Sequence, residues 1–175
     1  MDTLKAVQLC ALLVASAPTQ PCGPVTPAES AQIDRWQSFI DAASQKFNVP
    51  TDWIRAVMAR ESAGLAALHK APIMSGSGAM GLMQLMPGTW SDMRARYGLG
   101  NDPFDPHDNI FAGAAYLREM FDRYGYPDLF AAYNAGPGRL DKALEGQKSL
   151  PEITQSYLES IVPGAKAVIA AKPGL

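Results

Sequence analysis

Ser75-Gly76-Ser77-Gly78-Ala79-Met80-Gly81-Leu82-Met83-Gln84-Leu85-Met86-Pro87-Gly88-Thr89 is the stretch on which the reading of this 175-residue chain turns. Its first three glycines, Gly76, Gly78 and Gly81, open backbone conformations closed to other residues and let the chain approach its neighbours closely. A single amide, Gln84, then interrupts an apolar run, and a buried amide needs hydrogen-bond partners. Two readings fit these residues. One is a rigid loop and helix start that line a groove, with Gln84 turned to a ligand. The other is a glycine-rich surface turn leading into a core helix.

Upstream, Thr51 and Asp52 are read as the cap of a helix whose apolar face carries Trp53, Ile54, Val57 and Met58. Glu61 falls on that same stripe, and Gly64 ends the helix within a turn of it. An unpaired carboxyl on an apolar face is driven toward its neutral form by desolvation, and the negative end of the helix dipole acts in the same direction. Both effects raise the pKa, as a general acid at neutral pH requires. The residues leave two other readings open: a buried ion pair with Arg55 or Arg60, or a partly exposed terminal glutamate.

The rest of the chain reads as helices. Thr26-Pro27-Ala28-Glu29 carries a helix start, with Thr26 as cap and Glu29 completing a capping box. Ile33, Trp36, Phe39, Ile40 and Ala43 follow at helical spacing, and Asn48-Val49-Pro50 stops them. Residues 63–74 read as an irregular surface loop. Thr89 opens a helix through Trp90, Met93 and Tyr97. Asp105 or Pro106 opens another, with Ile110, Ala114, Leu117, Met120 and Phe121 on one side and small residues at 112–115 that admit a closely packed helix.

Residues 127–135 form a short helix that runs into Tyr133-Asn134-Ala135-Gly136-Pro137-Gly138. The phenol and the amide there either face a polar ligand such as a sugar or serve as core and helix cap. Leu140, Ala143 and Leu144, then Ile153, Tyr157, Leu158 and Ile161, mark two more helices. No segment alternates like a strand, so the expected fold is all-α with about seven or eight short helices.

Length and composition suit one domain that needs no staples. The net charge of −2 leaves no basic stripe for nucleic acid. Two cysteines, Cys10 and Cys22, make neither a disulfide scaffold nor a thiolate site, and His69 and His107 lack ligand spacing, so no metal or cofactor is implied. Residues 6–17 are almost wholly apolar and end in Ala15-Ser16-Ala17, which reads as a secretory signal over 1–17, too short to span a membrane. The proline-rich residues 18–28 are expected to be a disordered linker and 29–170 the folded domain. The mature chain is therefore expected to be exported, to the periplasm, without a transmembrane segment.

The ordered set Glu61-Ser62, then Gly78-Ala79-Met80-Gly81-Leu82-Met83-Gln84-Leu85-Met86-Pro87, then Asp105-Pro106 with Asn109-Ile110 and Gly113-Ala114-Ala115-Tyr116-Leu117, and finally Ala132-Tyr133-Asn134-Ala135-Gly136-Pro137-Gly138 closely resembles the catalytic domain of soluble lytic transglycosylases, relatives of goose-type lysozyme. The likeness covers about residues 45–162. It implies a lysozyme-like helical fold around a glycan groove. The implied reaction cleaves the β-1,4 bond between N-acetylmuramic acid and N-acetylglucosamine in peptidoglycan and leaves a 1,6-anhydromuramoyl end.

Glu61 matches the family's single acid/base. Met83 and Gln84 match groove residues, and Tyr133, Asn134 and Ala135 match residues near the acid and the sugar subsites. Ser75 matches a serine beside the reacting sugar, with Ser77 as the alternative, because the connection from Glu61 is longer than usual in the family. The extra loop, 65–74, is expected to reshape the groove or bind a partner. A hydrolytic muramidase and a non-catalytic glycan-binding module are the competing readings. Small members of this kind often open the wall locally for secretion or conjugation complexes, which makes such a complex one candidate partner besides the glycan, with general wall turnover as the equal alternative.

Overall fold

The computed structural model describes residues 22–165. The stretch read as an export signal, the first residues of the linker and residues 166–170 of the expected domain lie outside the described residues. In chain order the elements are α1 (Pro27–Ile33), a 3₁₀ turn (Asp34–Trp36), α2 (Gln37–Phe47), α3 (Thr51–Ser62), a hairpin of β1 (Ala67–Leu68) and β2 (Ala71–Pro72), α4 (Pro87–Tyr97), α5 (Pro106–Tyr124), α6 (Asp128–Ala135), α7 (Pro137–Leu144) and α8 (Glu152–Ile161). The all-α expectation holds, with one two-stranded hairpin inserted.

Local chemistry explains most boundaries. At α1 the Thr26 hydroxyl accepts from Glu29 N while the Glu29 carboxylate accepts from Thr26 N, the reciprocal capping box. Asp105 caps α5 by accepting from Asp108 N at 3.0 Å. Asn48, at φ 51°, ends α2 in the left-handed conformation that asparagine tolerates.

Two starts differ from expectation. Pro50, not Thr51, occupies the cap of α3, and its carbonyl accepts from Trp53 N and Ile54 N. Pro87 opens α4 ahead of Thr89, because a proline at the first helical position has the right φ and no N–H to satisfy. The helix expected through Ile33 and Ala43 is divided by the 3₁₀ turn, which re-aims α2.

Two other expectations are corrected. Residues 65–74 are not irregular: Leu68 pairs with Ala71 across His69 and Lys70, both at positive φ, as the centre of a type I′ turn requires. From Cys22 onward the stretch read as a disordered linker is docked. Gly23 N donates to Ile161 O at 2.5 Å, and Cys22 and Val25 pack against the core. The helix-stop of α8 leaves Ile161 O open to this partner, and backbone pairing outweighs the proline content.

The core is built around Trp53, which is fully buried and meets the rings of Phe121, Phe130 and Tyr126 with centroids 5.2 to 5.7 Å apart. The long helix α5 is the scaffold, packing against α2, α3, α4 and α6, while α6 also meets α7 and α8. The ends of α3 and α6 and the loop before α4 converge on one side, where the cavity lies.

Candidate active site

The glycine-rich stretch takes the groove-lining form, as a loop with no helix before Pro87. Met80 forms antiparallel bridges with both Met74 and Leu85, and Met80 and Leu85 exchange both backbone hydrogen bonds at 3.0 Å. Buried Asn109 on α5 holds this loop from beneath. Its Oδ1 accepts from Met83 N at 2.7 Å, and its Nδ2 donates to Met80 O and Pro103 O at 3.0 and 2.9 Å. Gly81 stands against that amide at φ 74°, and a Cβ there would lie 2.4 Å from Asn109 Nδ2. At Gly113 the side chain of Met83 fills the space that a Cβ would take, with its Cγ 2.6 Å from an added Cβ.

Met83 is therefore corrected from groove residue to core residue. Its side chain is fully buried and does not line the cavity. Its backbone carries the structural part: N–H to Asn109, and the carbonyl accepting from Tyr133 Oη at 2.8 Å. A methionine in an apolar run reads alike whether it faces core or ligand.

Glu61 is half-buried one residue before the end of α3, whose cap Ala63 sits at φ 52°. Neither arginine considered as its partner pairs with it. Arg55 is bound to Asp34 at 2.6 Å and also donates to Ser30 and Gln37, and Arg60 faces Glu29 at 4.0 Å. Burial pushes the Glu61 carboxyl up from the ordinary 4.5 to about 7. The Tyr157 hydroxyl on α8 opposes part of that rise. This hydroxyl is buried and makes no hydrogen bond of ordinary geometry within the fold, so the acid is the polar group it faces. Ser62 Oγ donates to Leu82 O at 2.8 Å, which ties the end of α3 to the loop.

A cavity of about 550 Å³ opens on Glu61. Ser75, Ser77, Gln84, Tyr133, Asn134 and Ala135, all anticipated, line it together with Glu61. The two serines sit side by side, with hydroxyl oxygens 3.0 Å apart, and Ser75 Oγ accepts from Ala79 N. Gln84, at φ 48°, is held in a left-handed conformation rare for a side-chain-bearing residue, and its Nε2 donates to Gly81 O at 2.8 Å. Asn134 does not cap its helix. Its Oδ1 accepts from buried Thr154 on α8 at 2.8 Å, which leaves its NH₂ as a donor on the cavity side.

Tyr116, Thr89 and Arg139 also line the cavity, although the sequence reading gave none of them a part in the site. The Tyr116 ring lies 5.2 Å from that of Tyr133, so the two form an aromatic wall. Tyr116 stands one position from core Leu117, and nothing in the helical period distinguishes it. Tyr157 was read only as an apolar-face residue, and its phenol was the one available signal. Among the described residues Glu61 is the sole carboxylate lining the cavity.

Comparison with known proteins agrees with this picture. Residues 38–156 match the family model described as the Transglycosylase SLT domain. A protein named "Transglycosylase" from Enterobacteria phage PRD1 is 40% identical over 123 residues, covering 70% of this chain and 40% of the phage protein. The "Soluble lytic murein transglycosylase" of Escherichia coli K12 is 36% identical over 99 residues, 53% of this chain and 15% of that protein. Among solved structures, an inactive mutant of the lytic transglycosylase Slt from Pseudomonas aeruginosa superposes with a TM-score of 0.61 at 29% identity, over 71% of this chain and 22% of that one. The chain thus spans less than half the length of the curated relatives it matches.

Proposed function

The chain belongs to the Transglycosylase SLT domain family, and on that premise we propose that it is a peptidoglycan lytic transglycosylase acting through Glu61. The observation that carries the mechanism is a single carboxyl whose pKa burial raises to about 7, so that a large share stays protonated near neutral pH, in a cavity whose other lining residues are neutral apart from Arg139. Ordinary glycosidases flank the scissile bond with two carboxyl groups, one as acid and one as base or nucleophile. With one carboxyl, the nucleophile comes from the substrate.

Neutral Glu61 donates its proton to the glycosidic oxygen as the C1–O bond of the muramoyl unit breaks. The carboxylate so formed takes the proton of that unit's 6-hydroxyl as the 6-oxygen bonds to C1. The acid is restored, the leaving strand carries a 4-hydroxyl, and the muramoyl end closes to the 1,6-anhydro ring. Tyr157, facing Glu61 from α8, steadies the ionised form between the two transfers. Gln84, Asn134, Ser75 and Ser77 offer hydrogen-bonding groups to sugar hydroxyls and acetamido groups, and the Tyr116–Tyr133 wall offers an apolar face to the rings.

Such a substrate lies outside the cytoplasmic membrane, which suits an export signal over 1–17 ahead of a domain over 29–170. A finer reading assigns the cleavage to local opening of the wall for an envelope secretion or conjugation complex. Digesting purified peptidoglycan with the protein and with Glu61→Gln, followed by mass spectrometry of the fragments, tests the reaction. Anhydro ends from the first and no cleavage by the second are expected. Reducing ends would move the activity to a muramidase, and bound but uncut glycan in both would leave a binding module.

A further inference from the structure

Oxidisable sulfur is spread unevenly over this fold. Met58 and Met83 are fully buried, Met93 and Met120 nearly so, and Met80 packs half-buried against the core. Met74 and Met86 are exposed, at 60% and 47%. Of these two only Met86 lines the catalytic cavity, so among the described residues it is the one exposed thioether within the site. The thiol of Cys22, a more usual target of peroxide, is half-buried. Burial pushes it up to about 12, which leaves little of the reactive thiolate.

The backbone accounts for the position of Met86. Leu85 is paired with Met80 and buried, and the extended conformation of Met86, φ −65° and ψ 149°, turns the next side chain away from the core. Met86 also occupies the cap position of α4, where no side chain caps the helix. Pro87 has no N–H, and the first-turn N–H groups of Gly88 and Thr89 receive no acceptor from a thioether. A sulfoxide oxygen is a strong acceptor, carried as many bonds from Cα as the oxygen of a glutamine, and it offers those donors what the cap lacks. Oxidation therefore converts apolar lining into polar lining at a helix end that favours the oxidised form.

We propose that Met86 is a redox-sensitive site of the catalytic cavity: oxygen transfer from a peroxide to its sulfur weakens glycan binding, and a dithiol-dependent sulfoxide reductase restores it. This rests on the peptidoglycan reading above. In the forward step the sulfur lone pair attacks one peroxide oxygen, the O–O bond breaks, and the other oxygen leaves as water with both protons. Sulfur loses two electrons and the peroxide gains them. In the return step the dithiol supplies two electrons and two protons, the sulfoxide oxygen leaves as water, and the dithiol becomes a disulfide.

Treating Glu61→Gln protein with hydrogen peroxide tests this without relying on turnover. Peptide mass spectrometry follows the added oxygen at Met86 and at Met74 separately, and binding to purified glycan strands is measured at each time. Affinity is expected to fall about tenfold in step with oxidation of Met86 and to return with methionine sulfoxide reductase. Added Met86→Leu should hold its affinity through the same treatment, whereas added Met74→Leu should lose it like the parent. The parent's own time courses decide the matter even where Met86→Leu folds poorly. Oxidation of Met86 no faster than that of buried Met83 would overturn the proposal. So would affinity that stays constant as Met86 is oxidised, a loss that tracks Met74, a loss that the reductase does not reverse, or no glycan binding before peroxide is added. Failure of the unmutated, unoxidised protein to cut strands that it binds would instead overturn the lyase reading, with the binding comparison still deciding the redox site.

Discussion

Asn109 Oδ1 accepts a hydrogen bond from Met83 N at 2.7 Å across 26 positions of chain, and the same amide donates to Met80 O and Pro103 O. One fully buried side chain on α5 thereby fixes the loop that carries Ser75, Ser77 and Gln84 into the cavity. Asn109→Ala removes the partner of Met83 N and of Pro103 O away from water, and takes one of the two bonds made by Met80 O, which keeps Leu85 N. Loss of about 3 kcal/mol in urea unfolding is expected, together with a fall in activity larger than that of any single loop-surface substitution.

The glycines of the loop divide by their surroundings. An added methyl at Gly81 meets Asn109 at 2.4 Å at a positive φ, and one at Gly113 meets Met83. Gly81→Ala and Gly113→Ala are each expected to cost about 1–3 kcal/mol, whereas Gly76→Ala, with nothing within 4 Å, should change stability by less than about 1 kcal/mol. Thermal midpoints of the three variants check the ordering.

Glu61 gives stability a pH dependence of known sign. Its folded pKa is raised from 4.5 to about 7, so its contribution is fully present below about pH 4.5 and is lost as pH rises through about 7. Glu61→Gln should therefore be more stable than the unmutated protein at pH 8, by about 2 kcal/mol after allowance for partial exposure. The advantage should shrink steadily toward pH 4.5. Denaturant midpoints across that range measure it, and a pH-independent difference would contradict the assignment.

Tyr157→Phe removes the hydroxyl that favours the ionised form of Glu61, so the acid's pKa should rise further. The alkaline limb of kcat/KM, set by loss of the acid's proton, should move to higher pH. A variant that only loosened packing would lower activity at every pH and leave the limb in place.

The hairpin is expendable for folding. Ala67, Leu68, Ala71 and Pro72 are all exposed, and Ile73 N already donates to Ala66 O beneath them. Replacing residues 67–72 by Asn-Gly, which closes a two-residue turn on that pair, is expected to shift stability by less than about 1 kcal/mol. A change in the range of glycan fragments released would then assign the hairpin to substrate choice.

Some of this was legible residue by residue. The helical periods of α3, α5 and α8, the Thr26–Glu29 capping box and the misplaced carboxylate on the stripe of Trp53 and Val57 are all local patterns. A local pattern reports the physics of one helix: which face is apolar, where the end groups are satisfied, and which polar group sits where it should not. On that basis the all-α fold and Glu61 came from sequence, and the ordered motif blocks supplied the family.

What the tertiary structure alone decided concerns which group meets which across long separations. Met83 and Gln84 are neighbours in one loop, yet the first fills the hollow at Gly113 and the second lines the cavity. Their side chains part only because Asn109 pins the backbone between α5 and the groove. Tyr157 reaches Glu61 from a helix almost a hundred positions away. Cys22 and Gly23 are docked by a carbonyl left open at the end of α8. Such placements follow from packing volume and from the requirement that each buried polar group find a partner. Those conditions apply to the whole folded chain, and no single segment carries them.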